Sequence, residues 1–449
     1  LKVSDMNLTM EQITALAPDA ASVKAGRGLV NSAKWPTLGQ SANALWGECQ
    51  GSGSKPYQVS VDLGGPAFKC TCPSRKFPCK HGLGLLWLAV EKPATVQIGD
   101  PPPWVADWLA ARHGKVEKQA AVAAGKKDAP ADAEAAAKRA AKRLNQMGEG
   151  GAELARWLSD QVRQGLATYP QQSATYFAGV AARLVDAKIP GLVNEMVRLE
   201  SFIHSGDGWP QRVLGQLGRM SLITEGLSRF STLPESLQGD LRAVLGWAMD
   251  KEEVLANPQR VTDDWCVLGQ VFTERDRLWE RRTWLLGRTQ AQPALLLDFM
   301  HGQRSFPVPL VVGTSVQAEL AFYPSAYPLR ALLVNPPESA RPLREPVPAL
   351  RDFDAALAAR AAALAVNPWL LAYPFAVENV IPLRRHGAWR LRDVQGAELP
   401  LNMADRDAWE LLAISGGHPV AIFGEWSDNE FRALGVWADG FHGLGSAES

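Results

Sequence analysis

The chain has 449 residues, enough for two to four domains with separate cores. Hydrophobic residues make up 46% and charged residues 21%, as in ordinary globular proteins, and charge or proline interrupts every apolar stretch before it could cross a bilayer. Formal net charge is zero but unevenly spread: residues 1–150 carry 19 Lys+Arg against 13 Asp+Glu, and the remainder 28 against 34. No basic segment followed by an apolar core and a small-residue cleavage site opens the chain, so a secretory leader is not expected. Five cysteines, an odd number containing a metal pattern, point to the cytoplasm.

Residues 8–19 are predicted to form an opening helix, with Thr9 as N-cap and Gln12 three residues later, ending near Pro18. Tyr57, Val59, Val61 and Leu63 then alternate with Gln58, Ser60 and Asp62, the period of a strand. Behind it come Cys70, Cys72, Cys79 and His81 in the pattern C-x-C-x6-C-x-H. Residues two apart on an extended segment share a face, so each pair can aim at one ion, and Pro73, Ser74 and Pro78 supply the turn between them. Three thiolates and an imidazole fill a tetrahedral Zn²⁺ site with no position left for water, the composition of a structural rather than a catalytic centre. Core thiols or a disulfide are the competing readings of the same residues. The apolar run after His81 reads as a short buried helix, giving a strand, a metal knuckle and a helix.

On these residues, with Leu45–Gly53, Pro56-Tyr57 and Phe68–His81 around them, the chain resembles the bacterial SWIM-type zinc finger proteins over roughly residues 31–91. The resemblance implies a zinc-binding module that contacts DNA or proteins. It also implies partners such as the MoxR-type AAA+ ATPases and von Willebrand A-domain proteins encoded beside bacterial members. Lys69, Arg75, Lys76 and Lys80 surround the ligands, with no acidic residue between Asp62 and Glu91. They either offset the negative charge of a Zn(Cys)3(His) centre or form a patch facing phosphate or an acidic partner. Cys49, in a Gly-rich loop, and Cys266 read as small buried apolar residues.

Ile98–Trp104, with three consecutive prolines, reads as a stiff connector, and Trp104–Arg112 as a short helix. Gly114–Arg143 is rich in Ala and Lys and nearly free of large apolar residues, the composition of a helical or disordered linker. From Gly150 to about Asn257 helical stripes follow, including Leu154, Trp157, Leu158, Val162 and Leu166, and Val213, Leu217, Met220, Ile223 and Leu227. After Pro258 strand patterns take over. A hairpin is expected from Cys266–Phe272 and Leu278–Leu286, and strands near 294–299, 316–323, 329–334, 389–394 and 420–426. Helices are expected at Phe353–Ala365 and Arg406–Ile414. The expected organisation is an α+β multidomain chain: an N-terminal helix and finger at 1–92, a connector and linker at 93–149, a helical domain at 150–257, and an α+β or β-rich domain at 258–449.

Catalytic signatures are missing. Gly51–Lys55 lacks the register of a phosphate-binding loop and is followed by Pro56 where a helix should start. The other histidines are scattered, and Asp263-Asp264 reads as a solvated turn. Sixteen tryptophans, several beside arginines, suit packing or an interface. The expectation is a cytoplasmic, non-enzymatic binding protein with Zn²⁺ and a protein partner. DNA binding through the finger is the second reading, and an enzyme with a C-terminal site the third.

Overall fold

The run after His81 folds as α3 (Lys80–Glu91), whose residues from His81 to Ala89 are all buried, and the N-terminal unit is built around it. A helix apolar all round must be covered on every side. In the computed structural model, which describes residues 10–111 and 130–445 except 19, 52, 54, 64–66, 75, 77, 173, 276, 303–305, 307, 309, 338 and 339, that cover comes from two directions. On one side lie α1 (Met10–Ala15) and α2 (Ala20–Arg27). On the other lies a sheet of β1 (Thr37–Gln40), β2 (Ala44–Cys49), β3 (Tyr57–Asp62), β4 (Ala67–Cys70) and β5 (Gln97–Ile98), in the order β4-β3-β2-β1-β5. The cap predicted at Thr9 lies outside the described residues.

Three local readings change. Cys49 ends the central strand β2, paired with Tyr57, rather than sitting in a loop. The proline connector belongs to the finger unit: β5 pairs in parallel with β1, and the prolines lead into α4 (103–111), whose Val105 packs on Ala44 and Trp46. With both sheet faces covered, Ser60 and Asp62 are buried alongside Val59 and Val61, so the alternation in β3 does not separate core from water.

The helical region comprises α5 (Pro130–Gln164), α6 (Ala174–Asp186), α7 (Pro190–Ile203), α8 (Trp209–Ser228), α9 (Glu235–Leu245) and the short α10 (Lys251–Ala256). Prolines stand in the first turns of α7 and α8, and Gly246, at φ 73°, ends α9 in the left-handed region. The α5 helix runs through residue 150 without a break, and Met147 is already fully buried in the bundle core. Residues 112–129 of the expected linker lie outside the described part. Leu154, Leu158, Val213, Leu217, Met220, Ile223 and Leu227 line the core as their spacing predicts, whereas Val162 faces solvent at 57% exposure.

Beyond α10 two six-stranded sheets pack together. The first contains β6 (Arg260–Arg275), β7 (Leu278–Gly287), β8 (Pro293–His301), β9 (Thr314–Phe322), β10 (Arg330–Leu333) and β11 (Arg341–Pro342). Because β10 pairs in parallel with β8 and antiparallel with β9, the sheet closes into a five-stranded barrel around Trp265, Val267, Leu296, Leu320 and Phe322. The second sheet has the order β14-β13-β12-β15-β16-β17. Its strands are β12 (Tyr373–Arg385), β13 (Ala388–Arg392), β14 (Glu398–Pro400), β15 (Val420–Ser427), β16 (Glu430–Trp437) and β17 (Phe441–Gly443), with α11 (Phe353–Val366) and α12 (Asp405–Ser415) completing its core. Asp263 is not in a solvated turn but buried in β6, where its carboxylate accepts hydrogen bonds from the backbone of Asp264, Thr289 and Gln290. The protein is thus α+β: a strand-and-helix finger, a helical bundle and a β-rich C-terminal part.

Contacts join these parts. Val311 of the β-rich part packs into the finger core. Trp369 inserts into the bundle core, and its carbonyl accepts from Arg219 Nη2 at 2.9 Å.

Candidate metal centre

Two short pieces of secondary structure deliver the four ligands. Cys70 is the last residue of β4 and pairs with Val59. The ladder is continued past it by Thr71, whose N–H donates to the Gln58 carbonyl at 3.1 Å while its hydroxyl accepts from the Gln58 N–H at 3.0 Å. This holds the backbone extended across Cys70-Thr71-Cys72, so both sulfurs share a face. Cys79 is the N-cap of α3, with φ −75° and ψ 164°, and His81 lies in the first turn. Two glycines let this helix sit close. A Cβ on Gly82 would stand 2.7 Å from Phe68 Cδ1 on β4, and one on Gly84 2.8 Å from Leu29 Cβ. Neither glycine belongs to a recognisable motif, and their place one and three residues after the histidine ligand, near the start of the helix, is the cue that could have exposed them.

The ligand atoms of Cys70, Cys72, Cys79 and His81 all lie within 4.8 Å of one another. His81 Nδ1 is 3.7 Å from Cys70 Sγ and 3.9 Å from Cys79 Sγ. A tetrahedral Zn²⁺ site, with Zn–S about 2.3 Å and Zn–N about 2.0–2.1 Å, has S to N edges of roughly 3.6 Å and S to S edges of roughly 3.8 Å. The donor set therefore fits Zn²⁺, with Nδ1 as the imidazole donor. Cys79 and His81 are buried, Cys70 and Cys72 half-buried, and Tyr57 covers the imidazole with its ring centroid 5.0 Å away. All five cysteines are free thiols, so the disulfide reading falls.

The electrostatics of the thiols are asymmetric. A hydrogen bond from Cys70 holds Cys79 down to about 4 against burial, helped by His81 and by the backbone N–H groups of His81 and Gly82 at the start of α3. Donating that hydrogen bond pushes the Cys70 thiol up, with burial in second place, and burial pushes Cys72 up. The Cys70 hydrogen bond and the helix terminus thus favour ionisation at Cys79, while donating that bond and burial disfavour it at Cys70 and burial disfavours it at Cys72. Cys49 and Cys266 are not among the four grouped ligands; both are buried and pushed up to about 11, chiefly by desolvation, with Cys79 and Cys72 near enough to Cys49 to add to its shift.

Of the basic residues around the ligands, Lys69 on β4 and Lys80 at the start of α3 are exposed, as is Lys76, whose N–H donates to Ser74 Oγ at 3.2 Å. Arg75 lies outside the described residues. Residues 57–89 match the SWIM zinc finger family, and residues 142–245 match the SWIM-associated four-helix bundle domain. No curated protein and no solved structure matches the chain.

Proposed function

We propose that this chain, which carries a SWIM zinc finger ahead of a SWIM-associated four-helix bundle domain, is a zinc-stapled adaptor that contacts a protein partner and catalyses no reaction of its own. The observation that carries the reading is the closed donor set. Four protein ligands complete a tetrahedron, so zinc organises the knuckle and leaves no position at which to activate water or substrate. The ion fixes the turn between β4 and α3 and with it the spacing of Lys69, Lys76 and Lys80. These cations, with Arg75, form the contact surface. A MoxR-type AAA+ ATPase or a von Willebrand A-domain protein in the cytoplasm is the partner we favour. Among the described residues no helix is long and apolar enough to cross a membrane.

DNA is the alternative occupant of the same surface. A protein that depends on six to ten phosphate contacts loses about 10³ to 10⁵ in affinity between roughly 50 and 200 mM salt, and a handful of cations beside a negatively charged zinc centre supports far fewer contacts. The test is a pull-down with and without a chelator, beside a DNA titration at physiological salt. Zinc-dependent, salt-tolerant capture of the ATPase supports the adaptor. Sequence-selective nanomolar DNA binding that disappears in an Arg75→Glu/Lys76→Glu double variant, with no captured protein, would overturn it.

A further inference from the structure

Three arginines of the helical bundle converge on one space without forming an ion pair among the described residues. Arg139 and Arg143 stand one turn apart on α5, and Arg242 reaches the same place from α9. With Trp247, Asp250 and Glu253 they line an open cleft of about 440 Å³. The guanidinium carbons of Arg143 and Arg242 lie 5.1 and 5.2 Å from the Trp247 ring centroid, and that of Arg242 also lies 5.5 Å from the Phe230 ring. Both Nε atoms are buried and donate to nothing among the described residues. None of the three arginines forms an ion pair with Asp250, Glu253 or any other described residue.

Packing alone is a poor account of this arrangement. Stacking on an aromatic ring satisfies the face of a guanidinium but not its N–H edge, and each buried donor left without an acceptor costs about 1–3 kcal/mol. Two like charges gathered at one indole add repulsion. An oxyanion in the cleft meets the guanidinium Nη groups rather than the buried Nε atoms, offsets the crowding of like charge, and presents oxygens that match the guanidinium fork. The cleft volume falls within the range typical of small-molecule sites, about 300–1,000 Å³. Asp250 and Glu253 in the same lining would repel a polyanionic strand laid along the cleft, but they accept hydrogen bonds from hydroxyl groups. We infer that this cleft binds a nucleoside di- or triphosphate, phosphates on Arg139, Arg143 and Arg242 and ribose toward the carboxylates. The site stands independently of the finger and its partner.

The test is calorimetric titration of the full chain with ADP, ATP, pyrophosphate and a single-stranded oligonucleotide. ADP or ATP should bind, and more tightly than pyrophosphate. Arg143→Gln and Arg242→Gln should each weaken binding by roughly tenfold or more, whereas Arg163→Gln, which removes one charge at the far end of the same helix, should keep it. The nucleotide should also raise the melting temperature of the wild type and not of the two cleft variants. Should either variant fail to fold, Arg139→Gln at the exposed edge carries the same expectation. Absence of mononucleotide binding, equal affinity for pyrophosphate and ADP, binding unchanged in the variants, or binding of the oligonucleotide alone would each overturn the assignment.

Discussion

Asp240 on α9 and Asn367, just past the end of α11, are joined by a 2.8 Å hydrogen bond from Asn367 Nδ2 to the Asp240 carboxylate, across 127 residues of chain. The same carboxylate accepts from the Ala326 N–H at 2.8 Å and from the Ser325 hydroxyl. One buried side chain therefore ties the helical bundle to two segments of the β-rich part.

Asp240→Ala should destabilise the protein by about 2–4 kcal/mol, because one buried donor and two half-buried donors lose their acceptor at once. Desolvation pushes the Asp240 carboxyl above its ordinary 3.8, against the hydrogen bonds from Ser325 and Ala326. The folded state then holds this proton more tightly than the unfolded chain. The corresponding increment of stability is fully present below 3.8 and is lost as pH rises through the raised folded value. Asp240→Asn should remove that part of the acid-range slope. Urea denaturation as a function of pH measures both effects, and an unchanged slope in Asp240→Asn would refute the second.

Zinc binding should release about two protons near neutral pH, from Cys70 and Cys72, because Cys79 is held well below the ordinary thiol value while its neighbours are pushed up. Affinity should accordingly rise with pH. Calorimetry in buffers of different ionisation enthalpy counts the protons; a value near three would show that no thiolate is preformed. Metal analysis should give one zinc per chain, lost in Cys79→Ser.

Gly82→Val should loosen the finger and lower its zinc content, since even the first added carbon would stand 2.7 Å from Phe68 Cδ1. Overpacking of this kind costs about 1–3 kcal/mol. Gly148→Ala should do the opposite. It lies inside α5, where a Cβ meets nothing within 4 Å, so the substitution should stabilise by roughly 0.5–1 kcal/mol. Paired thermal melts of the two variants check the contrast.

Glu425→Ala should cost about 3–5 kcal/mol. The buried Glu425 carboxylate on β15 accepts from Trp284 Nε1 at 2.7 Å and Arg282 Nη2 at 2.8 Å on β7, pinning the second sheet to the barrel. Its loss strands an arginine and an indole N–H at the sheet interface. Chemical denaturation provides the measure, and a change under about 1 kcal/mol would mean that water replaces the carboxylate.

The metal cluster was readable from the chain because its ligands lie between residues 70 and 81, where spacing, two-residue strand periodicity and a helix start determine which side chains can meet. The bundle stripes from Val213 to Leu227 were legible for a similar reason: they reflect the pitch of one helix packed on one side. What escaped depends on partners far away in sequence. The β2 strand is buried on both faces, so its residues lack the alternation that marks a half-exposed strand. The two pairings of β10 that close the barrel, like the Asp240–Asn367 contact, join segments whose separation no local period encodes. Asp263 looked like a turn residue because a carboxylate belongs in water unless backbone N–H groups replace it, and the strand hairpin supplies those groups at Thr289 and Gln290. Local chemistry chose the ligands and the helices, while long-range burial decided which polar groups could leave water and which elements share a core.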